Sequence, residues 1–163
     1  MKKSQPFRVL MVCTGNICRS PTAHGVLEKM VSDAGLEQRV VVDSAGTHSY
    51  HVGEAPDHRS QQHARRRGYD LSAQRARQLT AQDFDDFDLV LVMDSSNEIA
   101  ARRIASPAQQ QRMKRLTDFC QQHSDKQVPD PYYGGDQGFE HVLDLVEDAC
   151  GNLLQSIVQG KLR

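Results

Sequence analysis

A cysteine and an arginine stand six positions apart in Cys13-Thr14-Gly15-Asn16-Ile17-Cys18-Arg19-Ser20, between an apolar run and a proline. A thiol and a guanidinium so spaced suit an anion trap. A loop of this length can curl so that its successive backbone N–H groups point inward, with Gly15 and Asn16 tolerating the unusual dihedrals that such a nest needs. A helix starting just after it adds positive potential. Arg19 offers a planar fork to two oxygens of a tetrahedral dianion. Helix N-termini and nearby cations favour thiolate over thiol, so Cys13 becomes a nucleophile at neutral pH. Ser20 can donate a hydrogen bond to that sulfur and help it leave in a second step. A cysteine at a strand end is most often a packed thiol; here glycine, asparagine, arginine and Ser-Pro together point to chemistry instead. No Gly-Lys-Ser/Thr follows Gly15, which excludes a nucleotide-binding Walker loop.

The elements around this loop must hold it. Phe7-Arg8-Val9-Leu10-Met11-Val12 has the length of a buried strand. A helix is expected to begin at Ser20 as N-cap, with Pro21 in its first turn and Val26, Leu27, Met30 and Val31 on one face, and to end at Gly35. Val40-Val41-Val42, stopped by Ser44-Ala45-Gly46, reads as a second strand, and Leu89 to Met93, stopped at Asp94, as a third. Met113 to Leu116 is a weaker fourth. Helices are expected over 56–67, 95–105 and 139–158. Strands alternating with helices imply an α/β fold: one domain over 1–163, with an open, parallel four-stranded sheet and helices on both faces, Rossmann-like or flavodoxin-like. Ligands then bind at the carboxyl ends of the strands. The stretch from Cys120 to Gly138, with two prolines and three glycines, reads as a long loop of the kind that often carries function.

Composition narrows the classes. The chain has 163 residues, 38% apolar and 25% charged, enough for one core, and a formal charge of -1 gives no reason to expect nucleic acid or an anionic membrane as partner. Arg8 interrupts an N-terminal apolar run already too short for a secretory signal, and no later segment could span a bilayer. The expected compartment is the cytoplasm, where Cys13, Cys18, Cys120 and Cys150 stay thiols.

At these residues the chain resembles the low-molecular-weight protein tyrosine phosphatases, marked by Cys-x5-Arg-Ser with the inner sequence Gly-Asn-Ile-Cys-Arg-Ser-Pro. The likeness extends through Asp43-Ser44-Ala45-Gly46-Thr47, Ala76-Arg77-Gln78, Val92-Met93-Asp94 and Asp130-Pro131-Tyr132-Tyr133-Gly134. It implies a metal-free, cofactor-free transfer from phosphotyrosine proteins. Cys13 would attack phosphorus, and Asp130 would protonate the leaving phenolate, then serve as base toward water. Read by itself, Asp130-Pro131 is only a turn signal. The resemblance also makes Tyr50, Tyr132 and Tyr133 a wall for the substrate ring, and Asn16 and Ser44 a pair bonding beneath the loop. Ile17 stands where relatives acting on phosphoarginine carry threonine. Gln74 stands where many relatives have histidine, and its amide is expected to bridge in that histidine's place. A reversible Cys13–Cys18 disulfide is implied as well, beside the alternative that Cys18 is a packed thiol.

His48, His51, His58 and His63 match no zinc spacing and are read as solvated or capping, Arg65-Arg66-Arg67 as a solvated helix face, and Cys120 and Cys150 as structural. Thr14, His48 and His51 fall at the outer pocket, where partner choice is set. A monomer or weak dimer is expected. The rival readings are an arsenate reductase, which would need further thiols between Cys18 and Cys120, and a non-catalytic phosphotyrosine-binding module, against which both Cys13 and Asp130 argue.

Overall fold

A computed structural model describes residues 5–162, the side chain of Tyr133 excepted. The first apolar run forms the central strand β1 (Phe7–Cys13). It pairs in parallel with β2 (Val40–Gly46) on one side and β3 (Leu89–Val92) on the other. The short β4 (Met113–Arg115) completes a sheet of order β2-β1-β3-β4.

Because side chains alternate across a strand, each face of this sheet has its own core. Phe7, Val9, Met11 and Cys13 face the helices α1 (Arg19–Asp33) and α5 (Gly135–Val158), where Val26, Leu27, Val142, Leu145 and Val146 are buried with them. Leu10, Val12, Val90 and Val92 face Phe84 of the one-turn α3 (Asp83–Asp86) and Ala101 of α4 (Ser95–Ile104). The amphipathic α2 (His58–Arg66) packs along α1 and α5. The chain leaves β1 toward β2 on one side while β3 lies on the other. The crevice outside the carboxyl ends of β1 and β3 is therefore the place where such sheets bind ligands.

Three boundaries differ from expectation. Helix α1 begins at Arg19 with Cys18 as N-cap, and Cys18 makes no capping side-chain bond; Ser20 lies inside the first turn with its hydroxyl directed to Cys13. Strand β2 runs on through Ser44-Ala45-Gly46, which pair in register with Met11-Val12-Cys13 and so join the ladder they were expected to stop. Helix α5 starts four residues early, at Gly135, because Asp136 and Gln137 carry no apolar periodicity.

Candidate active site

After β1 the chain curls back onto the N-terminus of α1. Asn16 sits at φ 58°, the one non-glycine residue of positive φ among the described residues. Its amide explains the conformation: Nδ2 donates to Ser20 Oγ at 2.8 Å and Ser44 Oγ at 3.0 Å, while Oδ1 accepts the backbone N–H of Arg77 at 3.0 Å. Ser20 Oγ stands 3.1 Å from Cys13 Sγ, both groups being buried. The end of β2 backs the loop from outside. Thr47 and His48 donate their N–H groups to the carbonyls of Cys13 and Thr14 at 2.9 Å each. A Cβ at Gly46 would lie 2.8 Å from Thr14 O and 3.0 Å from Asn16 N, so only glycine permits this approach.

Arg19 is 3% exposed and is aimed by its partners. One terminal nitrogen donates to Asp94 Oδ2 at 2.6 Å and Val128 O at 3.0 Å; the other reaches Thr14 Oγ1 at 3.5 Å. Burial works against its charge, yet the Cys13 sulfur and then Asp94 hold the guanidinium more firmly protonated than usual. Asp94 caps α4 in a reciprocal box with Asn97, whose Nδ2 also donates to Thr14 Oγ1 at 2.9 Å. Asp94 and Asn97 were not among the expected site residues. The Asp-x-x-Asn spacing after an apolar strand was a capping signal that could have drawn attention to them.

The long loop reaches this cradle through Val128, whose N–H donates to Met93 O at 2.7 Å while its carbonyl receives Arg19. Two residues on, Asp130 is exposed, and its carboxylate accepts the Tyr132 N–H at 3.0 Å. Tyr132 is half out of the protein, with the Arg59 guanidinium 5.0 Å from its ring centroid and 4.9 Å from that of Phe139. The start of α2 thus touches both loops: Asp57, which caps it, donates its own N–H to Ile17 O at 2.7 Å. Tyr50 stands 82% exposed, stacked only on His48 at 5.3 Å between ring centroids. His51 edges over the loop at Gly15, where a Cβ would meet its ring at 3.0 Å, and pairs with Glu54. The turn at 131–133 includes Tyr133, but its side chain lies outside the described residues.

The structure brings Cys13, Ser20, Arg19, Asn16 and Ser44 into one cluster, and it corrects other expectations. Gln74 does not bridge beneath the loop: its Nδ-equivalent nitrogen, Nε2, donates to Pro21 O at 3.0 Å, and its buried Oε1 has no hydrogen-bond partner. Ser44 instead meets His24 Nδ1 at 3.3 Å. His63 is neither solvated nor capping but buried, stacked on Phe139 and paired with Glu140 and Asp136. Of the three arginines, Arg65 and Arg66 are exposed, but Arg67 pairs with Glu140, Asp144 and Glu147 across α5. Cys18 is buried and its thiol pushed up to about 12, chiefly by that burial. All four cysteines are unpaired.

A family model described as low molecular weight phosphotyrosine protein phosphatase matches residues 8–162. A low molecular weight protein-tyrosine-phosphatase of Streptomyces coelicolor is 44% identical, the match covering 93% of each chain. The crystal structure of a protein tyrosine phosphatase from Entamoeba histolytica with Hepes in the active site superposes with a TM-score of 0.92 at 39% identity, covering 95% of this chain and 99% of that one. A structure described as a Drosophila arginine phosphatase superposes at 0.84 and 34% identity, covering 91% and 97%.

Proposed function

The chain belongs to the low molecular weight phosphotyrosine protein phosphatases, and from that premise we propose that it hydrolyses phosphotyrosine through a phosphocysteine at Cys13. The observation that carries this reading is the Cys13 sulfur on the floor of a loop whose buried arginine and serine are both fixed by hydrogen-bond partners. In the first step Sγ forms a bond to phosphorus as the bond to the tyrosine oxygen breaks, and the protonated Asp130 gives its proton to that oxygen. In the second, water attacks the phosphocysteine and gives a proton to Asp130, while Ser20 donates to the departing sulfur. Arg19 and the N–H groups of residues 14–20 balance the charge on the equatorial oxygens throughout.

Ile17 borders the loop with an apolar side chain, which favours a flat aromatic leaving group over a guanidino one. Tyr132, and Tyr133 with it, are assigned to the wall of the ring site. Tyr50 joins them only when substrate replaces water on its open face. The same reading takes residues 1–163 as one phosphatase domain that works in the cytoplasm, as a monomer or weak dimer, without metal or cofactor. It also assigns Cys18 as the partner that traps an oxidised Cys13. Peroxide would take two electrons from the Cys13 thiolate to give a sulfenic acid, and the Cys18 sulfur would displace its hydroxyl as water. Inactivation by peroxide that a dithiol does not reverse would exclude this protection.

The test is hydrolysis of para-nitrophenyl phosphate, a phosphotyrosine peptide and a phosphoarginine peptide from pH 5 to 8. Wild type is expected to prefer phosphotyrosine, Cys13→Ser to be inactive, and Asp130→Ala to be slowed most on the poorer leaving group. Preference for phosphoarginine would move the substrate class; arsenate reduction without phosphatase turnover would replace the reaction.

A further inference from the structure

One line of hydrogen bonds runs from the phosphate loop to the open side of the first helix, and that line contains an imidazole. From the nucleophile outward, Cys13 Sγ meets Ser20 Oγ, Asn16 Nδ2 donates to both Ser20 and Ser44, Ser44 Oγ meets His24 Nδ1 at 3.3 Å, and His24 Nε2 meets Glu28 Oε2 at 3.1 Å. Ser44, Asn16 and Ser20 are buried, the His24 side chain is 12% exposed, and Glu28 is open to water.

The proton positions along this line follow from its ends. Both Asn16 amide hydrogens are committed, one of them to Ser44, and the amide cannot turn over because its oxygen accepts the Arg77 N–H. Ser44 accepts from Asn16, and because the Glu28 carboxylate can only accept, Nε2 of the neutral ring carries the proton and Ser44 donates its own to His24 Nδ1. The hydrogen bond from His24 also keeps Glu28 below the usual carboxylate range. A second proton on the imidazole would turn Nδ1 from acceptor into donor. Ser44 could still accept from both N–H donors, but it would lose the acceptor of its own proton, and a hydroxyl that no longer donates is the weaker acceptor for Asn16, the residue strained at φ 58°.

We propose that His24 is a pH-responsive positioning residue for the phosphate loop: neutral, it locks Asn16 through Ser44; protonated, it releases that lock and lowers activity. The inference rests on the phosphatase reading. It gives the first helix the imidazole that many members of the resembled family carry at position 74, where Gln74 is occupied here with Pro21 O. Among the described residues, the charged group that His24 meets is Glu28, from its own helix. Asp43, beside Ser44 in β2, points to the opposite face of the sheet, where the Arg77 guanidinium engages it at 3.0 Å. Glu28 is thus the charge in direct contact with the ring, at 3.1 Å.

The experiment is the ratio of wild-type kcat/KM to that of His24→Gln on para-nitrophenyl phosphate from pH 5 to 8. Ionisation of the substrate is common to both proteins and cancels in the ratio. The ratio is expected to fall about threefold to tenfold toward acid pH, the span for weakening one bond in a buried network. In a Glu28→Gln background the midpoint of that fall should move to lower pH, which a purely structural role for either residue would not produce. A ratio independent of pH, or a midpoint that Glu28→Gln leaves in place, overturns the proposal while the phosphatase reading stands. Absence of wild-type turnover overturns both.

Discussion

Asn16, Ser20 and Arg19 each hold three hydrogen-bond partners in the phosphate loop, whereas the Asp130 carboxylate holds the N–H of Tyr132 and otherwise faces solvent. The difference matches two tasks. A cradle for a dianion is most effective when its donors are fixed before the charge arrives, since nothing then has to reorganise during the reaction. A proton donor on a loop must let substrate in and product out, so looser restraint suits it. The loop of Asp130 is held at a distance from its functional residue, at Val128, at the Asp148 carboxylate behind residues 121–123, and by Arg59 on Tyr132.

The strongest way to break this contrast is to disturb the rigid side. Gly46→Ala drives a methyl group into the Thr14 carbonyl, and kcat/KM should drop about a hundredfold, as expected when reacting groups are displaced by a fraction of an ångström to an ångström. A variant with near wild-type turnover would show that the cradle tolerates motion and is not set apart from the acid loop.

A stability measurement probes the far anchor of the acid loop. The Asp148 side chain is 4% exposed and its carboxyl is lowered to about 2. Burial opposes that shift, but the N–H groups of residues 121–123 and the His123 ring outweigh it. A carboxylate lowered on folding stabilises above its unfolded value and loses that contribution as pH falls through the folded one. Asp148→Asn should therefore cost about 2 kcal/mol in urea unfolding at pH 7, with the gap to wild type closing between pH 4 and pH 2. An equal gap at pH 7 and pH 2.5 would mean that the charge plays no part. Turnover in the folded variant should stay within about twofold of wild type.

The smallest effect sharpens the comparison most. Arg59→Ala removes the cation between Tyr132 and Phe139, and should reduce kcat/KM about threefold on phosphotyrosine peptide. The loss should shrink on an aryl phosphate whose leaving group needs no proton, because only the Asp130 step is loosened. Equal losses on both substrates would assign Arg59 to substrate binding instead.

The legible part of the molecule is the part built from local signals. Cys13 to Ser20 could be read because each residue type answers a local demand for a turn, charge or nucleophile, and β1, β3 and α4 because their apolar runs end at clear stops. Asp130 could be placed only by resemblance, since an Asp-Pro turn looks alike wherever it occurs. The contacts that span the chain left no local trace: Gly46 against Thr14, Asn97 on Thr14, His24 on Ser44 and Arg67 across α5 are made by residues 20 to 83 positions apart. The expectation for Gln74 failed for that reason, because a residue's position in a motif does not say which neighbour its amide meets.

The packing of α5 against α1 has a consequence for how the protein is made. Residues 135–158 leave the ribosome after all four strands and both loops, yet they supply Val142, Leu145, Val146 and Leu153 to the core on the side where Cys13 lies. A nascent chain that ends before Gly135 carries the whole cysteine loop while the helix that orients it has one face open to water. The Cys13 loop is therefore translated early and assembled late, with completion of the fold and not with synthesis of the motif.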